Sequence, residues 1–264
     1  MLAYLKGAFP LINDPLRPDA SILIFFCGSD FKLRHIPHSE CLEFKEEFVN
    51  DIRDFRSYID IFVKSGRYVI IGGGEPLLQR APLVYLASYA KQQGAKLEIE
   101  TNGSRPAVLK SVLKSGLADR VTLLMHAPLV PEKFQKVTQA GTFFKPVDEI
   151  ISNVRTSINI LKEHAEQTEV IIRTTVVPAL MYKKEDLFEI AEEIKDVRAV
   201  WELVRYSPEG VTDKHYAGIN PPSEDFLKRL KEECIKKHPQ LLITTSDPRS
   251  PFSTEDAYGM DNWN

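Results

Sequence analysis

Short apolar runs of strand length alternate with amphipathic runs of helical spacing along most of the chain, and no other feature restricts its fold as strongly. Residues 21–27 (SILIFFC), 67–71, 96–100, 120–125, 169–177 and 199–204 are rich in aliphatic and β-branched side chains and predict strands. Phe44, Phe48, Ile52, Phe55, Ile59 and Phe62 step by three or four, which predicts a helix over 44–62. Further helices are expected over 78–93, 106–115, 147–164 and 184–194, with a last one after Pro222 capped by Ser223. Strand–helix units in regular order predict an α/β fold with a parallel sheet, and the strands are apolar on both faces, as strands covered by helices must be. Periodicity fits a barrel or an open sheet equally. In either, ligands gather at the C-terminal strand ends, which points to the loops 27–41, 72–79, 100–105 and 125–128.

Length and charge remove several classes. A chain of 264 residues buries a sizeable core unaided. Its three cysteines exclude a disulfide framework. With 34 Lys+Arg against 37 Asp+Glu it lacks the basic excess of a nucleic-acid protein. No run approaches the roughly 18 apolar residues of a membrane span, and the N-terminus does not read as a signal peptide, so a cytoplasmic protein is expected. Residues 1–245 read as one domain. Residues 246–264 lack periodicity and read as a tail or lid, with Phe252, Tyr258 and Trp263 as apolar anchors.

The second strand runs into Gly72-Gly73-Gly74-Glu75-Pro76. Glycines at a strand end let a ligand approach the backbone, and Glu75 offers a carboxylate to a ligand ammonium group. The GK[ST] ending of a phosphate loop is absent. This segment resembles the GGEP motif of radical S-adenosylmethionine (radical SAM) enzymes. Glu100-Thr101-Asn102-Gly103 resembles the ETNG signature of their activating-enzyme branch. The segments 173–178, 206–210 and 220–223 are similar to later parts of anaerobic ribonucleoside-triphosphate reductase activating proteins, and residues 7–13 leading into 22–28 fit the same pattern. The resemblance covers nearly the whole chain. It implies a partial (β/α)6 TIM-like barrel and a SAM pocket formed by Gly73, Gly74, Glu75, Glu100, Asn102 and Arg173.

The pattern breaks at the chemistry. The family carries CxxxCxxC after its first strand, where three thiolates hold a [4Fe-4S] cluster that chelates SAM. Here those positions fall on Ser29, Leu33 and Ile36. Leu and Ile cannot ligate iron, and Ser is a poor replacement for a soft thiolate. The family's acidic-x-lysine pair after the fourth strand is replaced by Leu124 and His126. A [4Fe-4S] cluster is therefore not expected, and SAM stands as a candidate ligand rather than a required one.

Cys27, His35, His38 and Cys41 match the inventory of a zinc site, although their spacing lacks a C-x2-4-C knuckle and the blander expectation is a core cysteine with two solvated loop histidines. Cys234 falls on the apolar stripe of the last helix and reads as a core residue. Arg173, inside a strand, needs a carboxylate such as Glu100 or Glu202 if buried. His126 at a strand end is either a rim acid/base or a hydrogen-bonded turn residue. No catalytic residue is assigned. The leading expectation is a degenerate radical SAM homologue, a non-catalytic or regulatory pseudoenzyme with a residual small-molecule pocket and a protein partner. The alternatives are a radical SAM activating enzyme with unusual cluster ligands, and a zinc-binding non-radical protein.

Overall fold

The computed structural model describes residues 1–11, 21–63, 68–142 and 145–247. Arg67 and the anchors of the expected tail, Phe252, Tyr258 and Trp263, lie outside the described residues. The strands are β1 (Leu2–Leu11), β2 (Ser21–Phe26), β3 (Val49–Asp51), β4 (Tyr68–Gly73), β5 (Lys96–Thr101), β6 (Arg120–Leu124), β7 (Glu169–Val176), β8 (Val200–Arg205) and β9 (Leu242–Ser246). The helices are α1 (Arg56–Val63), α2 (Arg80–Gln92), α3 (Pro106–Lys114), α4 (Pro131–Thr138), α5 (Val147–His164), α6 (Lys184–Ile194), α7 (Lys214–Ala217) and α8 (Glu224–Lys237).

The strands form one sheet in the order β3-β1-β2-β4-β5-β6-β7-β8-β9. Every pair from β2 through β4 to β9 is parallel, whereas β1 is antiparallel to both β2 and β3. The sheet does not close on itself, so the architecture is an open (β/α) barrel. The six strands expected from sequence are present. Three more extend the sheet: β1 and β3 at one edge and β9 at the other. The β9 sequence, LITTS, is β-branched and carries a strand signal of its own.

One helix is corrected. The stripe from Phe44 to Phe62 does not form a continuous helix. Residues 49–51 pair with β1, Asn50 Nδ2 donates to the Leu5 carbonyl at 2.8 Å, and Asp51 accepts from the Arg53 amide at 3.0 Å, so helical structure begins only after it. Within this stretch Ile52, Phe55 and Ile59 are buried, while Phe44 is half exposed against the Tyr4 ring. A free sheet edge on β1 supplies hydrogen bonds that a helix over 49–51 would forgo. α5 and α6 run as expected, and Ser223 Oγ caps α8 by accepting from Phe226 N.

The two faces of the sheet differ in chemistry. Ile22, Ile24 and Phe26 of β2 pack with the helices in the main core. Leu23, Phe25 and Cys27 face the concave side, in a cluster with Phe9, Leu11, Cys41 and Ile70. Further round that side the strands carry buried polar groups. Glu98 accepts from the Thr122 hydroxyl at 2.7 Å, and Arg173 lies beside Glu202 in the β7–β8 register. Among the described residues, no helix is long and apolar enough to cross a membrane.

Candidate functional site

A cavity of about 730 Å³ opens on the concave side, at the C-terminal ends of the strands. Its walls include Ser29, Leu33 and Ile36 from the loop after β2, Gly73 and Gly74 after β4, Glu100 and Asn102 at the end of β5, and His126 after β6. β7 and β8 add Arg173 and Glu202. All four loops marked by the strand-end argument therefore meet at one place.

The first two rim loops are locked by main-chain bonds. Gly28 N donates to the Cys41 carbonyl and Ser29 N to the Leu42 carbonyl, both at 2.8 Å. Gly74 N donates to the Phe26 carbonyl at 2.7 Å and Glu75 N to the Gly28 carbonyl at 2.8 Å. A Cβ at Gly74 would run into that Gly28 carbonyl, and Gly28 has φ +89°, where L side chains are strained. Close packing of the chain on itself thus requires glycine here, independently of any ligand.

Glu75 is fully buried and does not line the cavity. Its Oε1 accepts from Leu77 N at 3.0 Å and the Thr101 hydroxyl at 2.9 Å, and its Oε2 accepts from Asn102 N at 2.6 Å. Burial pushes its carboxyl up to about 7, against the pull of these donors. Glu75 thereby ties the glycine loop to the end of β5. Asn102 donates to Asp30 Oδ1 at 3.1 Å, and the Ser104 hydroxyl donates to the same oxygen at 3.0 Å. Asp30 thus links the first rim loop to the third.

Arg173 is the centre of the polar wall. Its Nε donates to Glu202 Oε2 at 2.6 Å and its Nη1 to Glu100 Oε1 at 2.9 Å, while the buried Nη2 has no protein partner. Glu202 Oε1 accepts from the Ser246 hydroxyl at 2.8 Å. Burial disfavours the guanidinium charge, but the adjacent Glu202 and Glu100 outweigh it and hold Arg173 protonated.

Of the three histidines on the cavity, His35 and His126 are held neutral by burial. Burial lowers His35 to about 4, and its Nδ1 has no partner. Burial, reinforced by His35, lowers His126 to about 3, and its ring packs edge-on against Phe31. His38 takes a different course, with Nδ1 at 2.8 Å from Lys6 Nζ. Of the four residues considered for zinc, His35 lies apart against Tyr216, His38 turns to Lys6 and Glu40, and Cys27 and Cys41 pack off the cavity in the concave apolar cluster. Among the described residues no three His, Cys, Asp or Glu side chains form a group able to hold a metal ion. Cys234 is buried on α8, where burial pushes its thiol up to about 12.

The residues that the family resemblance sets at cluster-ligand positions do not fit a cluster. Ser29, Leu33 and Ile36 present one hydroxyl and two aliphatic groups to the cavity, and no thiol lines it. Leu124 and His126 also reach the wall. Sequence reasoning placed Thr175, Tyr206 and Ser207 in segments of family resemblance without a site role and did not assign Asp247 to the site, yet all four line the wall beyond β7, β8 and β9. The strand-end rule reaches Tyr206 and Ser207 once the loop after β8 is included, and Asp247 once β9 is recognised.

No protein-family model matches the chain. It is 27% identical over 245 residues to a Methanocaldococcus jannaschii protein named as a glycyl-radical enzyme activating enzyme, covering 93% of this chain and 97% of the relative. It is 29% identical over 203 residues to the pyruvate formate-lyase-activating enzyme of Clostridium pasteurianum, covering 75% and 78%. The chain resembles the radical SAM superfamily in sequence and fold. A radical SAM methyltransferase from Sphaerobacter thermophilus superposes with TM-score 0.66 at 11% identity, over 94% of this chain and 71% of that one. SuiB of Streptococcus suis, solved with S-adenosylmethionine, superposes with TM-score 0.60 at 16% identity, over 83% of this chain, which spans 48% of SuiB. At these identities the two superposed structures speak to the fold alone.

Proposed function

We propose that the protein is a cluster-free relative of the radical SAM activating enzymes that works by binding rather than by radical chemistry. The observation that supports this reading is the cavity wall, on which Ser29, Leu33 and Ile36, the residues that the family resemblance sets against its three cluster ligands, offer no thiol. A soft-ligand cluster has no attachment on such a wall. Across the cavity, the unpartnered Nη2 of Arg173 offers a donor to a ligand acceptor, with Glu100 and Glu202 flanking it. This arrangement supports a small-molecule site in which Gly73, Gly74, Glu100, Asn102 and Arg173 contact the ligand and Glu75 positions the loop. S-adenosylmethionine is the first candidate, bound without iron chelation and so more weakly than in an enzyme that chelates it. The curated relatives are named for activating protein enzymes, which supports a protein partner; a regulatory role in the cytoplasm is part of the proposal.

The experiment is anaerobic purification and iron–sulfur reconstitution of the full chain, with iron, zinc and sulfide assays and titration calorimetry against S-adenosylmethionine. The expected result is no stoichiometric metal or sulfide. Weak heat of binding would identify the ligand as S-adenosylmethionine, and none would remove it from the reading. A second reading, an activating enzyme with unusual ligands, draws on the match to 97% of the Methanocaldococcus jannaschii relative. Stoichiometric iron and sulfide with cleavage of S-adenosylmethionine would establish that reading instead.

A further inference from the structure

Two of the three cysteines share one place in the fold. Cys27 ends the run that forms β2, and Cys41 lies in the short 3-10 helix Ser39–Leu42. Both are free and fully buried. The Gly28 amide bonds to the Cys41 carbonyl at 2.8 Å, which fixes the two backbones side by side. Their side chains pack in the same concave apolar cluster, where each thiol perturbs the other. Cys41 Sγ also lies 3.8 Å from Glu40 Oε1, which Lys6 Nζ contacts at 3.3 Å. Cys234 is different: it is buried on α8 within the main core.

The segment closed by this pair is the loop that builds the first wall of the cavity. Ser29, Phe31, Leu33, His35, Ile36 and His38 all line the cavity and all lie between the two cysteines. His38 and Leu42, on either side of Cys41, reach the cavity as well. The cysteine pair is therefore one layer of side chains from the cavity.

We propose that Cys27 and Cys41 are a thiol–disulfide exchange site, whose oxidation by a low-molecular-weight disulfide staples the base of the 28–40 loop. The Cys41 sulfur is the attacking group. The neighbouring Cys27 thiol, together with Lys6, favours its thiolate, whereas the neighbouring Cys41 and burial hold Cys27 as a thiol. Attack on the reagent disulfide forms a mixed disulfide at Cys41 and releases one reagent thiolate, which takes up the Cys41 proton. Cys27 then gives up its proton and attacks the Cys41 sulfur, forming the Cys27–Cys41 bond and releasing the second reagent thiol. Two electrons and two protons pass from the cysteine pair to the reagent, so one disulfide forms as one is reduced. The result is a covalent tie across a loop that no cluster ties. This proposal stands apart from the ligand reading above, since it requires neither iron nor S-adenosylmethionine.

The test uses the full native chain, incubated with oxidised glutathione in one sample and with a phosphine reductant in another. Intact mass, thiol titration and disulfide peptide mapping are then read. In the oxidised sample the expected result is one titratable thiol, a mass lower by two hydrogens and a peptide linking Cys27 to Cys41. Its melting temperature should rise by about 5 °C or more over the reduced sample, as loop closure implies, and amide exchange over 28–40 should slow. Cys234→Ser should leave the link unchanged, and Cys41→Ser should abolish it. Three titratable thiols after oxidation would overturn the proposal. So would glutathione retained on Cys41 without an internal bond, or a link involving Cys234. The unmodified chain alone decides the matter if Cys41→Ser does not fold.

Discussion

The two walls of the cavity are built in opposite ways. The wall from 28–42 hangs on main-chain bonds between Gly28, Ser29, Cys41 and Leu42 and on the lock between Gly28, Gly74 and Glu75. Leu33 belongs to the main core and Ile36 packs against it, so this wall is also seated by apolar packing. In the wall from β5, β7 and β8 the side chains are themselves the fastening: Glu100, Arg173, Glu202 and Ser246 form one continuous chain of bonds across the sheet. On the first wall a change at the partly exposed Ser29 or Ile36 should alter chemistry and leave the fold, whereas Leu33 and Asp30 also hold the loop. The same change on the second should alter the fold first.

Four experiments sharpen or break this contrast. The largest change expected is one of kind. The combined variant Ser29→Cys, Leu33→Cys and Ile36→Cys should take up iron and sulfide on reconstitution where the parent does not, as metal analysis and a visible spectrum would record. Failure of the folded variant to take up iron would mean that the loop backbone has itself moved away from a cluster-holding shape. On the other wall, Arg173→Met leaves Glu100 and Glu202 buried without their cation and should cost about 3–5 kcal/mol in chemical denaturation. A loss below about 1 kcal/mol would show that the strands, not the ion chain, hold that wall. Gly74→Ala should cost about 1–3 kcal/mol, because its Cβ meets main chain that cannot swing aside.

The smallest effect is on the pH profile. His35 and His126 stand at about 4 and 3 in the fold, below the usual 6.5. Depressed basic groups stabilise the fold fully above pH 6.5, and that contribution is lost as pH falls toward 4 and 3. Glu75, raised to about 7, acts in the opposite sense and adds stability as pH falls from 7 toward 4.5. Replacing both histidines with Asn leaves the Glu75 part intact. The variant should therefore lose less stability than the parent between pH 6.5 and 4 in thermal melts, and parallel profiles would show that neither ring titrates as its burial implies.

The parallel strands were legible because each is a compact apolar run followed by a helix-period run, and that pattern has few solutions. The sequence pattern over 44–62 misled because six hydrophobic positions at helical spacing say nothing about a vacant strand edge nearby, and the β1 edge claimed residues 49–51. At the site, the Arg173–Glu100–Glu202 set was visible as a charge inside an apolar strand, which must find partners. The inward turn of Glu75 was not visible, since a rim carboxylate and a buried clamp share the same letters. The difference is set by Leu77, Thr101 and Asn102, which offer donors from another strand and from the turn that follows. The contact between Cys27 and Cys41 was likewise hidden, because it depends on how the intervening loop returns to the sheet.

The glycine lock between Gly28 and Gly74 bears on how such a cavity can change over generations. A loop suspended by its own peptide groups can exchange one reactive residue at a time, and every step along the way remains a folded protein open to selection. The positions that would carry the chemistry lie outside the glycine lock, which consists of two residues without side chains. In a lineage built this way, loss or gain of an activity is a short walk over neighbouring sequences, with no need to cross an unfolded valley.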